Sequence, residues 1–224
     1  MRAPASPPPP AETRYRDRAE AGVLLARALE RYHGQRPVVI GIPRGGVPVA
    51  AAVARGLGGE LDVVVARKLG APMHEELAIG AVTADGGRFL NEDIIHALGV
   101  GDEYLSRVTD EQMREARSRE QRFRGIRAAP SLTGRTVILV DDGLATGATM
   151  RAAARAVRAR GPARLVIAVP VGSAEACAAL AAEADEVVCP AQPEPFYAIG
   201  LHYVNFQQVE DAEVIALLQP GGPA

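Results

Sequence analysis

Tryptophan is missing from this chain of 224 residues, lysine occurs once (Lys68) against 24 arginines, and only two cysteines are present. The scarcity of cysteine bears on function first. Cys177 and Cys189 lack the spacing of a zinc site or a disulfide framework, so they read as reduced core thiols of a cytoplasmic protein. Apolar runs are far too short to span a bilayer. The formal net charge is −2 and the pI near 6.1, so nothing suggests a general nucleic-acid or membrane surface. No Gly-x-x-x-x-Gly-Lys-Ser/Thr loop occurs, which excludes a Walker-type nucleotide site. The first eleven residues hold five prolines and no apolar core segment, and read as a disordered tail rather than a secretory signal.

What is present is organised around Thr136 to Thr149. Val137-Ile138-Leu139-Val140 has the composition of a strand buried on both faces of a parallel sheet. It stops at two adjacent carboxylates, Asp141 and Asp142. A small-residue turn follows (Gly143, Leu144, Ala145, Thr146, Gly147, Ala148, Thr149), and then Met150 to Arg160 reads as a helix ended by Gly161-Pro162. Glycines at 143 and 147 let the backbone turn sharply and approach a ligand. Free N–H groups at the helix start, with the Thr146 and Thr149 hydroxyls, favour an anion. The two acids suit sugar hydroxyls or Mg2+ instead. One loop can hold a sugar phosphate by both ends.

In this order the residues resemble the phosphoribosyl pyrophosphate (PRPP) signature of the type I phosphoribosyltransferases, in the branch of predicted members without an assigned acceptor. The resemblance implies that Asp141 and Asp142 meet the ribose hydroxyls and the metal, and that the Thr146-Gly147-Ala148-Thr149 turn cradles the 5-phosphate. It also implies a reaction: displacement of pyrophosphate from C1 of PRPP by a nitrogen nucleophile, with Mg2+ as cofactor.

The rest of the chain fits an α/β fold, a doubly wound and mainly parallel sheet flanked by helices. A single domain is expected over 14–219, with a tail at 1–13 and a flexible end at 220–224. Arg14 to Gln35 reads as an amphipathic helix and Pro37 to Ile42 as the first buried strand. Pro43-Arg44-Gly45-Gly46 then turns into a helix from Val49 to Leu57. Paired glycines after a strand are common in any tight βα turn. In the resembling family, however, such a loop binds pyrophosphate, which implies that role for Arg44, Gly45 and Gly46.

Leu61 to Ala66 is the next expected strand, ending at Arg67-Lys68. A sequence so biased to arginine places its only ammonium there, where a compact mobile donor can reach a charged ligand. The resemblance implies pyrophosphate contacts and a catalytic part for Arg67 and Lys68. Gly70 to Leu77 reads as a loop, and Ala78 to Leu90 as a hairpin about Asp85-Gly86-Gly87. Residues 91–127 form an expected helical insertion. Its charges (Arg114, Glu115, Arg117, Arg119, Glu120, Arg122, Arg124) read as a solvated helix face or dimer surface.

After the signature, strands at Ala163–Val169 and Glu186–Cys189 flank a helix at Ser173–Ala184. Residues 190–206 are irregular and carry four of the chain's nine aromatics. Capping of the sheet end and stacking against a flat ligand weigh about evenly there. By resemblance this is the hood over the acceptor, which makes Phe196, Tyr197 and Tyr203 candidate acceptor contacts. The expected partners are PRPP and a small aromatic acceptor within a homodimer, with no nucleic acid or membrane. A PRPP-sensing regulator without transferase activity is the rival reading, and a hydrolytic sugar-phosphate domain has less support.

Overall fold

The protein is described from a computed structural model, in which residues 14–219 are placed. The expected tail at 1–13 and flexible end at 220–224 lie outside the described residues. The larger sheet holds β1 (Val38–Gly41), β2 (Glu60–Val63), β6 (Thr136–Val140), β7 (Arg164–Ala168) and β8 (Glu186–Val188). Its order is β2-β1-β6-β7-β8 and every pairing is parallel. Helices α1 (Arg18–Ala28), α2 (Gly46–Leu57), α5 (Ala148–Ala159) and α6 (Ala174–Leu180) cover it.

Strand residues alternate between its two faces. Val38, Ile40, Val137, Leu139, Leu165 and Ile167 pack on Met150, Val157, Cys177 and Leu180 of α5 and α6. Val39, Ile138, Val140 and Val166 pack on Leu25, Val49, Val53 and Leu57 of α1 and α2. With both faces sealed, the strands can be apolar throughout, and the doubly wound expectation holds.

Three readings need correction. The first helix does not run from Arg14 to Gln35. Asp17 caps α1 by accepting from the Glu20 N–H at 2.8 Å, a short 3-10 turn at Glu30–Tyr32 follows, and Tyr15 pairs instead with Tyr203. Arg67 and Lys68 do not end a core strand. They lie inside β3 (Ala66–Ala71), which with β4 (His74–Thr83) and β5 (Arg88–Leu90) forms a separate antiparallel sheet. The expected loop at Gly70–Leu77 is mostly strand as well, since β3 turns at Pro72-Met73 and Ala71 pairs with His74. Period-2 alternation is weak there because β4 is exposed over its first four residues.

The insertion consists of α3 (Glu92–Leu98), capped by Asn91, and the long α4 (Asp102–Arg124). Arg114, Glu115, Arg117 and Arg122 are exposed, as a solvated face requires, while Arg119, Glu120 and Arg124 are partly buried and turn inward. Arg124 grips Asp62 through two hydrogen bonds of 2.9 and 2.8 Å and also reaches the Val63 carbonyl. Glu120 accepts from the Val65 N–H, and Arg117 donates to the Ala84 carbonyl. α4 is thus pinned to the strand that leads into β3. A last helix, α7 (Asp211–Leu218), packs beside it through Val214 and Leu218.

Candidate functional site

Between β1 and β6 the sheet order reverses: α2 carries the chain outward to β2, while α5 carries it the other way to β7. Loops leaving the carboxyl ends of such a strand pair diverge and open a crevice, where open α/β sheets bind ligands. The two loops here are those singled out in the sequence, Pro43–Gly46 and Asp141–Thr149. They touch at their roots, where the Ile42 N–H donates to the Val140 carbonyl at 2.9 Å. Glycine is required on the first loop. A Cβ on Gly45 would fall 2.0 Å from Asp142 Oδ2, and one on Gly46 would fall 2.7 Å from the Val140 carbonyl oxygen.

Asp142 is buried and Asp141 partly so. Burial, reinforced by the Asp142 carboxylate alongside, raises the Asp141 pKa well above the usual carboxylate range. Burial raises Asp142 too, opposed by the hydrogen bond and charge of Arg18. Past the acids, Leu144 exchanges backbone hydrogen bonds with Val171 and Ser173. Gly147, at φ 78°, sets the chain into α5 with no side chain capping the helix. Thr146 is exposed and Thr149 partly exposed beside that uncapped end.

A cavity of about 330 Å³ joins the Pro43 turn, Val65, Ala66, Arg67, Lys68, Arg119 and Thr149. Arg67 and Lys68, carried in by β3 from the other sheet, therefore share a cavity with Pro43 of the first loop and Thr149 of the signature. Arg67 donates to Gln112 at 2.8 Å, and Lys68 is exposed. A larger, open and mostly polar cavity of about 840 Å³ continues from these two residues between the β3–β4 hairpin and α4. Arg44 is turned toward α7, within 3.8 Å of Asp211 and 3.9 Å of Glu210. Arg119 donates to the same Asp211 at 3.0 Å.

The hood residues do not share one face. Tyr203 is buried at 4% exposure and donates to the Asp142 carbonyl at 2.6 Å. Phe196 stacks on His202 at 5.4 Å, and Tyr197 stands out at 71% exposure. Sheet capping, the other reading of these aromatics, describes Tyr203 and its partners Tyr15 and Phe206. Arg18 carries no site reading from the sequence, and Arg119, read there as solvated helix face or dimer surface, lines the cavity instead. Local pattern carries no signal for Arg18, because its partner Asp142 is 124 positions away.

Among the described residues no three His, Cys, Asp or Glu side chains gather into a metal cluster, and no helix is long and apolar enough to cross a membrane. Two adjacent carboxylates still fit Mg2+, which usually takes one or two protein carboxylates and completes its shell with water and substrate phosphates.

Comparison with known proteins agrees with this fold. The model of the phosphoribosyl transferase domain matches residues 17–201. A Mycobacterium tuberculosis H37Rv protein named "Putative phosphoribosyl transferase Rv0571c" is 47% identical over 202 residues, 90% of this chain and 46% of its own length. The chain thus spans about half the length of the curated relatives it matches. The crystal structure of TT1426 from Thermus thermophilus is 49% identical, with a TM-score of 0.78 over 92% of this chain and 97% of that one. AQ2163 of Aquifex aeolicus, 14% identical at a TM-score of 0.51 over 84% of each chain, shares the fold. With its signature at the switch point of the sheet and the family model matched over most of its length, this chain belongs to the phosphoribosyl transferase family.

Proposed function

We propose that the protein transfers the 5-phosphoribosyl group of PRPP to a nitrogen of a nucleobase or similar small aromatic acceptor, releasing pyrophosphate. The observation that carries this reading is the convergence of both signature loops and the Arg67–Lys68 strand on the crevice between β1 and β6. The 5-phosphate would take the N–H groups at the start of α5 with the Thr146 and Thr149 hydroxyls. Asp141 and Asp142 would take the ribose hydroxyls, and with them Mg2+, whose charge would offset the leaving group. Arg67 and Lys68 would meet the pyrophosphate. Arg44 would join them by leaving its long contacts to Glu210 and Asp211.

In the reaction the C1–O bond to pyrophosphate breaks with its electron pair on oxygen. The C1–N bond forms from the acceptor lone pair, and the acceptor N–H proton leaves to solvent or pyrophosphate. Positive charge builds on the ribose ring meanwhile, so positioning and fixed charges carry the catalysis and no nucleophilic side chain is needed. On the hood, Tyr197 has the exposed ring suited to stacking on a flat acceptor, whereas Tyr203 acts through packing.

The test is pyrophosphate release from PRPP with Mg2+ across nucleobases and small aromatic amines. Acceptor-dependent release is expected. Saturable PRPP binding without release from any acceptor would establish the PRPP-sensing reading instead, and no PRPP binding would refute both.

A further inference from the structure

Arg18 opens α1, and its guanidinium is shared among three parts of the chain. Nε donates to Asp142 Oδ2 at 2.8 Å, Nη1 donates to the Gln207 carbonyl at 2.8 Å, and Cζ lies 3.9 Å from the centre of the Phe206 ring. Arg18 and Asp142 side chains are each only 12% exposed. Directional donors at the edge and a flat face that stacks are properties of arginine that lysine lacks. The residues just before it are stitched to the hood. Tyr15 donates its N–H to the His202 carbonyl, while the Val204 and Asn205 N–H groups donate to the Tyr15 and Arg16 carbonyls. Tyr203, from the same stretch, holds the Asp142 carbonyl. Asp142 is therefore gripped at side chain and backbone by the hood and the segment laid along it.

Asp141 has different neighbours. Its Oδ1 accepts the Asp142 N–H at 2.9 Å, and no ion pair reaches it among the described residues. Side by side in sequence, the two acids are one occupied carboxylate and one available one.

We propose that Arg18 is a positioning residue that splits the acidic pair: it holds Asp142 in place and leaves Asp141 as the carboxylate open to a divalent cation or a ribose hydroxyl. This rests on the phosphoribosyl transfer reading for its ligand, though the grip on Asp142 can be tested without PRPP. The division follows from charge. With Arg18 present, the pair offers a cation at most about one net negative charge, and the affinity of oxygen sites for divalent ions rises with ligand charge. Removing the guanidinium frees a second carboxylate at the same place.

The experiment measures Mn2+ binding by electron paramagnetic resonance in the absence of PRPP, for the wild-type chain, Arg18→Met, Asp142→Asn and the double variant. Arg18→Met is expected to bind Mn2+ about tenfold more tightly, and adding Asp142→Asn is expected to return the affinity to near wild type. Arg18→Lys, which keeps the charge and loses the fork, is expected between wild type and Arg18→Met, and it keeps the test open if Arg18→Met does not fold. In turnover, the KM for PRPP is expected to rise about tenfold in Arg18→Met with kcat within about threefold, and Arg18→Lys is expected to restore part of the loss. Unchanged or weaker Mn2+ binding in folded Arg18→Met, or tighter binding that persists in the double variant, would overturn the proposal. A wild-type protein that neither binds nor turns over PRPP would refute the transfer reading, while the Mn2+ cycle would still decide the role of Arg18.

Discussion

The two sheets of this molecule meet at one site but are built to different standards of burial. In the parallel sheet β1 is buried at all four residues, and β6 and β7 at four of five. In the antiparallel sheet β3 is buried at only two of six, and β4 is exposed over its first four. A strand sealed on both faces cannot shift without opening the core, so the loops leaving β1 and β6 are held rigidly. The strand that carries Arg67 and Lys68 has less to lose. Segments with few buried contacts are the ones that open locally. The site thus pairs a fixed half, which would hold phosphate and ribose, with a looser half, which would meet the leaving group.

The largest expected effect lies in the fixed half. Asp141→Asn with Asp142→Asn should weaken PRPP binding at least about 100-fold, since the charge-assisted hydrogen bonds of Asp141 to the ligand and of Asp142 to Arg18, worth about 1.5–3 kcal/mol each, are both lost. Calorimetry with PRPP and Mg2+ checks it. The fold should persist, because both side chains keep their shape. Wild-type affinity in the double variant would mean that the crevice between β1 and β6 is not the PRPP site.

A smaller loss is expected in the looser half. Lys68→Gln removes one charge from an exposed position and should weaken PRPP binding about 10- to 100-fold. Lys68 also offers a direct probe as the single lysine of the sequence. An amine-selective reagent should label this side chain, and PRPP with Mg2+ should protect it. Peptide mass mapping reads the label, and equal labelling with and without ligand would separate β3 from the site.

How much of this was legible beforehand differs between the halves for the same physical reason. A doubly buried strand leaves a continuous apolar run, and a phosphate loop needs glycines and hydroxyls at fixed offsets, so Val137 to Thr149 could be read directly. The parallel, doubly wound sheet followed from strand–helix alternation, whereas its strand order is set by which strands pair in the fold. β3 could not be read so, because Ala66-Arg67-Lys68-Leu69-Gly70-Ala71 has neither a clean alternation nor an apolar run. Its pairing is set by β4 and α4. The inward turn of Arg119 and Arg124 was hidden for a similar reason, since their acids, Asp211 and Asp62, are distant in sequence. Tyr203 shows the limit of composition. A cluster of aromatics marks a hydrophobic junction, but only the fold shows that its hydroxyl is taken up by the Asp142 carbonyl.

Close packing in the fixed half can be tested at Gly45. Alanine there would set a methyl group 2.0 Å from Asp142 Oδ2 and 3.2 Å from the Arg18 Nε that holds it. Overpacking of this kind costs about 1–3 kcal/mol, and in a domain of this size each kcal/mol lowers Tm by about 2–4 °C. PRPP affinity should fall as well, because the carboxylate must move. An unchanged Tm would show that the first loop can yield, and that the two halves differ less in stiffness than their burial indicates.

The smallest expected effect has the opposite sign. Asp141 has its pKa raised above its ordinary value of 3.8, first by burial and then by the neighbouring Asp142 carboxylate. A group whose folded pKa lies above its unfolded one supports the fold while protonated, below about pH 4. That support is lost as pH rises through the folded value, and above it the buried charge works against folding. Asp141→Asn removes the charge, keeps the shape, and leaves an amide oxygen to accept the Asp142 N–H. Its Tm at pH 7 should therefore exceed wild type by about 2–4 °C, the shift that corresponds to about 1 kcal/mol, and the gain should shrink toward pH 4. Scanning calorimetry at the two pH values reads both parts. Such a gain, alongside lost PRPP affinity, would mean that the fixed half carries a charge for its ligand at the expense of its own stability. A lower Tm at pH 7 would mean that Asp141 is stabilised where it stands, and the fixed half would then hold its acids without cost to the fold.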